Sequence, residues 1–88
     1  MSIQALRAVW GTQFPLLSER VKASLFSQLA HIQDATTEAA VNEAVFLAKG
    51  FIVALLEAEL TDEQGMHLLG TSLLRVESEA LARIRATR

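Results

Sequence analysis

The sequence contains no cysteine. Disulfide frameworks, thiolate zinc sites and cysteine nucleophiles are therefore excluded. It has one proline and four glycines, so few positions can interrupt a helix. No stretch alternates β-branched and polar residues as a half-buried strand would. There is no phosphate loop, no Gly-x-Gly-x-x-Gly fingerprint and no Gly-x-Ser-x-Gly elbow. The two histidines, His31 and His67, stand in no Glu-x-x-His or His-Glu-x-x-His pattern. Glu63 and His67 are four apart, the spacing of an ordinary helix surface pair, and two ligands are too few for a metal site. With no nucleophile or acid–base pair in a recognisable setting, the inventory argues against an enzyme and implies no cofactor, metal or small-molecule substrate.

What is present is apolar and helical. Hydrophobic residues make up 51% of the 88 positions, ample for the core of one domain spanning 1–88. Alanine, leucine, glutamate and glutamine favour helix over strand. The fold class is all-α, a small bundle of about four helices over approximately 2–10, 13–33, 37–59 and 62–86.

The chain is organised around Ala44–Leu56, AVFLAKGFIVALL, in which only Lys49 and Gly50 are not apolar. A membrane span needs roughly 20 such residues. This run is bounded by Glu43, Glu57 and Glu59 and carries Lys49 near its centre, so it reads as a core helix with the Lys49 stem along apolar surface. At 100° per residue, Val45, Ile52 and Leu56 occupy one side, Leu47, Ala54 and Ala58 another, and Phe46 and Val53 a third. A helix apolar nearly all round must be covered nearly all round, and so short a chain has few elements to do it. A second copy completing the bundle, most simply as a homodimer, is the expected cover. Val41, Ala44, Ala48, Phe51, Leu55 and Ala58 follow a heptad spacing with small residues that let two helix axes approach. They are the expected self-association seam. Gly50 lies on the opposite side.

Around that centre the pattern is amphipathic. Ile3, Leu6 and Trp10 recur at helical spacing before Gly11. Thr12 caps the second helix, with Pro15 in its first turn, or Ser18 does. Val21, Leu25, Leu29 and Ile32 form its stripe, and Phe26 stands off it towards a partner. Asp34, Thr36 and Thr37 are candidate caps for the third helix. Thr61-Asp62-Glu63-Gln64 reads as a capping box, with the Thr61 hydroxyl at the N-cap and Gln64 reaching back. Met66, Leu69, Leu73, Val76 and Ala80 keep one phase across Gly70, which favours one continuous fourth helix. Arg83, Arg85 and Arg88 suit its C-terminus electrostatically.

Charge is unevenly spread. Residues 34–63 carry Asp34, Glu38, Glu43, Glu57, Glu59, Asp62 and Glu63 against Lys49 alone, while both flanks are mildly basic. Glu38, Glu43, Glu57, Glu59, Asp62 and Glu63 are the expected patch for a basic partner. The first residues, MSIQALRAVWGTQF, lack a basic region followed by an unbroken apolar run and do not read as a secretory signal, so the expected compartment is cytoplasmic.

Residues 60–76, LTDEQGMHLLGTSLLRV, resemble the helix-turn-helix pattern of phage-repressor-type regulators through Leu60, Thr61, Glu63, Leu69, Gly70, Ser72 and Val76. The resemblance covers about a fifth of the chain. It implies a DNA-binding regulator using residues 61–82, with Ser72 capping a recognition helix and Arg75 reaching the nucleic acid. The sequence departs from that pattern at Gly65, where a core leucine is usual, at Leu73 and Leu74, where base-reading polar groups are usual, and at Glu77, which would repel phosphate. The leading expectation is a non-enzymatic helical interaction module, an adaptor, inhibitor or regulatory subunit. Its partners would be itself and another protein, with neither nucleic acid nor membrane engaged.

Overall fold

The computed structural model describes residues 16–87. Three helices account for nearly all of them: α1 (Glu19–Asp34), α2 (Glu38–Glu57) and α3 (Glu63–Ala86). No strand occurs among the described residues. The all-α class stands, with three helices among the described residues where the pattern predicted about four, and the helix expected over 13–33 starts at Glu19 because Ser18 is its cap. The expected helix over 2–10 lies outside the described residues, as do Thr12 and Pro15.

Each described helix begins at a side-chain cap. Ser18 Oγ accepts from the Val21 N–H at 3.1 Å, Thr37 Oγ1 from Ala40 N–H at 3.1 Å, and Asp62 Oδ1 from Gly65 N–H at 2.8 Å. The last corrects the capping box by one residue. A carboxylate is the stronger acceptor and its charge suits the helix N-terminus. With Asp62 as cap, the third helical position is Gly65, which has no side chain to reach back. Thr61 Oγ1 is left buried without a hydrogen-bond partner.

Short connections make α1 and α3 both antiparallel to α2. The turn after α2 is closed without glycine. Glu59 takes φ 61°, Glu59 N–H donates to Leu56 C=O, and Leu60 N–H donates to Leu55 C=O, both at 3.0 Å. These are the two bonds of a Schellman motif, and Leu60 packs against the core beside Leu55.

The core is one cluster fed by one stripe from each helix. α1 contributes Leu25, Phe26, Leu29 and Ile32, α2 contributes Val41, Val45, Ala48, Ile52 and Leu55, and α3 contributes Leu69, Leu73, Val76, Ala80 and Ile84. Phe26 is therefore a core residue and does not face outward. Lys22 buries its stem beside that core, with Nζ 3.5 Å from Glu19 Oε1.

Two arginines fasten the far end of α3 to the α1–α2 connection. Arg83 Nη2 donates to Gln33 C=O at 2.6 Å and to Ala35 C=O at 2.7 Å, capping carbonyls that α1 leaves open at its C-terminus. Arg85 donates from Nε and Nη2 to Glu38 Oε1, at 3.1 and 2.9 Å. These residues act across the tertiary fold as well as on the terminus of their own helix.

Candidate functional site

The site is built on α2 because α2 is the most apolar element and its cover is incomplete. Its Val41, Val45, Ala48, Ile52 and Leu55 face α1 and α3. Its outer side is left open: Phe46 is 77% exposed and Leu47 63% exposed, with Val53 exposed as well. At 3.6 residues per turn the outer residues divide into two flanks, one towards α3 and one towards α1.

On the α3 flank lies an open apolar groove of about 780 Å³. Lys49, Ile52, Val53 and Leu56 of α2 form one wall, and Met66, Gly70, Leu73 and Leu74 of α3 form the other. Leu74 is 57% exposed, and Met66, expected in the core seam, is exposed too. Glu63, His67 and Thr71 supply a polar rim. A Cβ placed on Gly70 would meet nothing within 4 Å. The glycine therefore serves no close contact among the described residues and widens the groove floor instead.

On the α1 flank two smaller crevices share His31, Ala44 and Leu47. The first, about 340 Å³, is closed by Gln28 and Phe51. The second, about 380 Å³, is bordered by Asp34, Ala35, Ala40 and Glu43. Gln28 Oε1 is buried there without a hydrogen-bond partner, a polar atom that a neighbouring donor would satisfy.

The structure redistributes the expected site residues. In the self-association seam, Val41, Ala48 and Leu55 are buried in the chain's own core, Ala44 and Phe51 sit at its margin, and Ala58 is exposed. The inner half of that seam is turned towards α1 and α3, because the stripe small enough for close packing is the one the chain closes upon itself. The acidic patch divides in two. Glu38 is bound to Arg85 and shares the N-terminal half of α2 with Glu43. Glu57, Glu59, Asp62 and Glu63 cluster at the α2–α3 turn, about 28 Å along the helix from Glu38 at 1.5 Å per residue. Asp62 is engaged as a cap, and Glu63 stands at the mouth of the groove.

The helix-turn-helix geometry is not formed. α3 runs unbroken from Glu63 to Ala86. Ser72 caps nothing: it is buried, and its Oγ donates to Leu68 C=O at 3.0 Å, as Thr71 Oγ1 does to His67 C=O at 2.9 Å. Both hydroxyls bond back one turn, the usual mode inside a helix. Leu73 belongs to the core, and Arg75 is exposed on the outside of a long helix with no turn before it. Leucines at 69 and 73 hold the phase across Gly70, so the glycine costs propensity but does not break the helix.

Among the described residues no three His, Asp or Glu side chains converge as a metal site requires. By length and composition α2 is long and apolar enough to cross a bilayer, with a mean hydropathy of 1.8. The helix continues past the thirteen-residue apolar run at both ends, to 20 residues, so the length argument drawn from the run does not hold for the helix. The packing of α1 and α3 along α2, and the charged Glu43 and Lys49 within it, accord with a bundle helix. No protein-family model, curated protein sequence or solved structure matches this chain.

Sequence periodicity placed Phe46 and Val53 together, but the groove partners on α3 were hidden. Met66 and Leu74 flank the core stripe of α3, and only the crossing of two helices shows which flank a neighbour covers.

Proposed function

We propose that this chain is a small non-enzymatic helical protein–protein interaction module, acting as an adaptor, inhibitor or regulatory subunit. It associates with itself as a homodimer and offers the α2–α3 groove to an amphipathic helix of another protein. One observation carries this reading: α2 is apolar on nearly every side, yet only its inner stripe is covered by α1 and α3. Apolar surface left contiguous and rimmed by polar groups is the usual footprint of a docking site.

The recognition mode is helix-in-groove, where apolar side chains at i, i+3 or i+4 and i+7 enter a hydrophobic channel. Val53, Leu56, Met66 and Leu74 supply the apolar walls, and Gly70 leaves depth for a large side chain. Glu57, Glu59 and Glu63 stand near one end. They favour a partner helix with basic residues at that end and speed its encounter.

Sedimentation equilibrium on the wild-type chain tests self-association, and a monomer persisting at high micromolar concentration removes that half of the reading. Affinity capture from native extract with wild type and with Val53→Asp/Leu74→Asp tests the groove. A specific partner is expected with the wild type and not with the folded double variant. Equal capture by both assigns the partner to another surface.

A further inference from the structure

We infer that the α2–α3 groove takes a helix of another protein in one direction, its first turn, carrying arginine or lysine, at the α2–α3 turn and its last turn beside Lys49. This rests on the groove reading above and adds the direction and charge pattern of the occupant. The carrying observation is the unequal charge at the two ends of the groove. Glu57, Glu59, Asp62 and Glu63 gather at the turn end, and all four are exposed. Asp62 caps α3 through Oδ1. Glu57, Glu59 and Glu63 form no ion pair among the described residues. The far end holds Lys49, exposed and likewise without an ion pair there. Half-buried Glu77 follows three residues beyond Leu74 on α3. The turn end is therefore strongly acidic, and the far end is neutral in sum.

A helix presents about half a positive charge at its N-terminus and about half a negative charge at its C-terminus. In the inferred direction its unpaired first N–H groups and the basic residues of its first turn meet carboxylates, and its last carbonyls meet Lys49. The occupant then runs parallel to α3 and antiparallel to α2. Glu57 ends α2 and Glu63 begins α3, so a guanidinium entering between the walls has a carboxylate on either side. The length suits a short segment. From Glu63 to Leu74 the α3 wall extends about 16 Å, three turns at 1.5 Å per residue. Apolar anchors at i, i+4 and i+7 reach along it, past Met66 and the open floor at Gly70 to Leu74.

The same charges decide against two other covers for this groove. The apolar strip that a second copy leaves exposed on α2, with Phe46 and Val53, is bounded by Glu43 and Glu57, and seating it here sets acid against acid. The buried apolar stripes of that copy are turned into its own core. An anionic lipid surface is repelled by the acidic end for the same reason. A basic amphipathic helix is the occupant whose apolar side and charge both match.

Two synthetic peptides of about 14 residues test the direction. Both are acetylated and amidated, with leucines at i, i+4 and i+7 among alanines and glutamines. One has two arginines in its first turn, and the other has them in its last. Fluorescence anisotropy with the full chain should show the first binding roughly tenfold more tightly at low salt, the gap closing as salt rises. The comparison is set against the inference, because arginines at a C-terminus favour the free helix. Glu57→Gln/Glu63→Gln should abolish the gap, and Lys49→Gln should narrow it. A spin label on the first residue of the tighter peptide should broaden the amide signals of Glu57 and Glu63 more than that of Lys49. Equal affinities, tighter binding of the second peptide, or no binding of either overturns the inference. If Val53→Asp/Leu74→Asp still loses its captured partner in those cases, the groove reading survives without it. Peptide binding that persists in that double variant lies outside the groove and overturns the inference as well. A wild-type dimer dissociated by the first peptide makes a second copy the occupant, and tighter binding by a Leu6→Glu chain makes residues 1–15 the occupant. Either result sinks it.

Discussion

The inner and outer sides of α2 are made of the same kinds of residue. Val41, Val45, Ala48, Ile52 and Leu55 look inward, and Phe46, Leu47, Val53 and Ala54 look outward. One side lies in the core, and the other meets solvent. Hydropathy alone does not distinguish them. What separates them is phase relative to the stripes of α1 and α3, which cover one side of a cylinder and stop. A helix whose uncovered side is as apolar as its covered side is shaped for more neighbours than α1 and α3 supply.

The sharpest way to break this comparison is to charge each side in turn. Ala48→Glu places a carboxylate at a fully buried position and should cost about 4 kcal/mol or more, enough to unfold a domain this small. Phe46→Asp, on the outer side, should change stability by less than about 0.5 kcal/mol. Urea unfolding followed by circular dichroism reads both, and equal losses would mean that the two sides are not distinct in solution.

Arg83→Ala removes both hydrogen bonds to Gln33 and Ala35. It should destabilise the bundle by about 1.5 kcal/mol, a charged-donor value reduced for exposure. Amide exchange should rise first at the α1–α2 connection. A loss confined to the end of α3 would show that the arginine serves only its own helix.

Gly70→Ala sharpens the comparison from the groove side. No atom lies within 4 Å of the added methyl, so the fold should gain about 1 kcal/mol from helix propensity. The same methyl raises the groove floor, so affinity for a helix seated there should fall while melting temperature rises. Stability and binding moving together would refute the groove as the docking site. The smallest effect on stability belongs to Glu59→Gly, which relieves a left-handed backbone at φ 61° and should stabilise by about 0.5 kcal/mol in urea unfolding.

Much of the fold was legible in the residues. Leu25, Leu29 and Ile32 on α1, and Leu69, Leu73, Val76 and Ala80 on α3, were expected to be core from period alone, and each is buried. Ser18 and Thr37 were among the caps considered, and α3 keeps its phase through Gly70. The misreadings share a cause. Phe26 stood off its stripe, but it lies within the wider arc that two neighbours bury. Met66 stood on its stripe, but it lines the open groove between α2 and α3 and stays exposed. The cap moved from Thr61 to Asp62 because the two acceptors stand one residue apart and the carboxylate is the stronger at a helix N-terminus. No local pattern announces Glu59 as left-handed, since glycine is the usual signal, nor Arg83 as a latch to carbonyls some fifty residues earlier.

The amino-acid sequence by itself determined that the described residues are helical, where α2 and α3 begin and end within a few residues, and that α2 is apolar beyond the needs of one stripe. Those properties follow from local propensity and from period, which act along the chain. Which apolar side became core, which glycine opened a groove and which acids stayed free of the arginines were decided only in three dimensions. Helices with similar stripes can pack at several rotations, and the choice among them rests on how three cylinders with different side chains fit together.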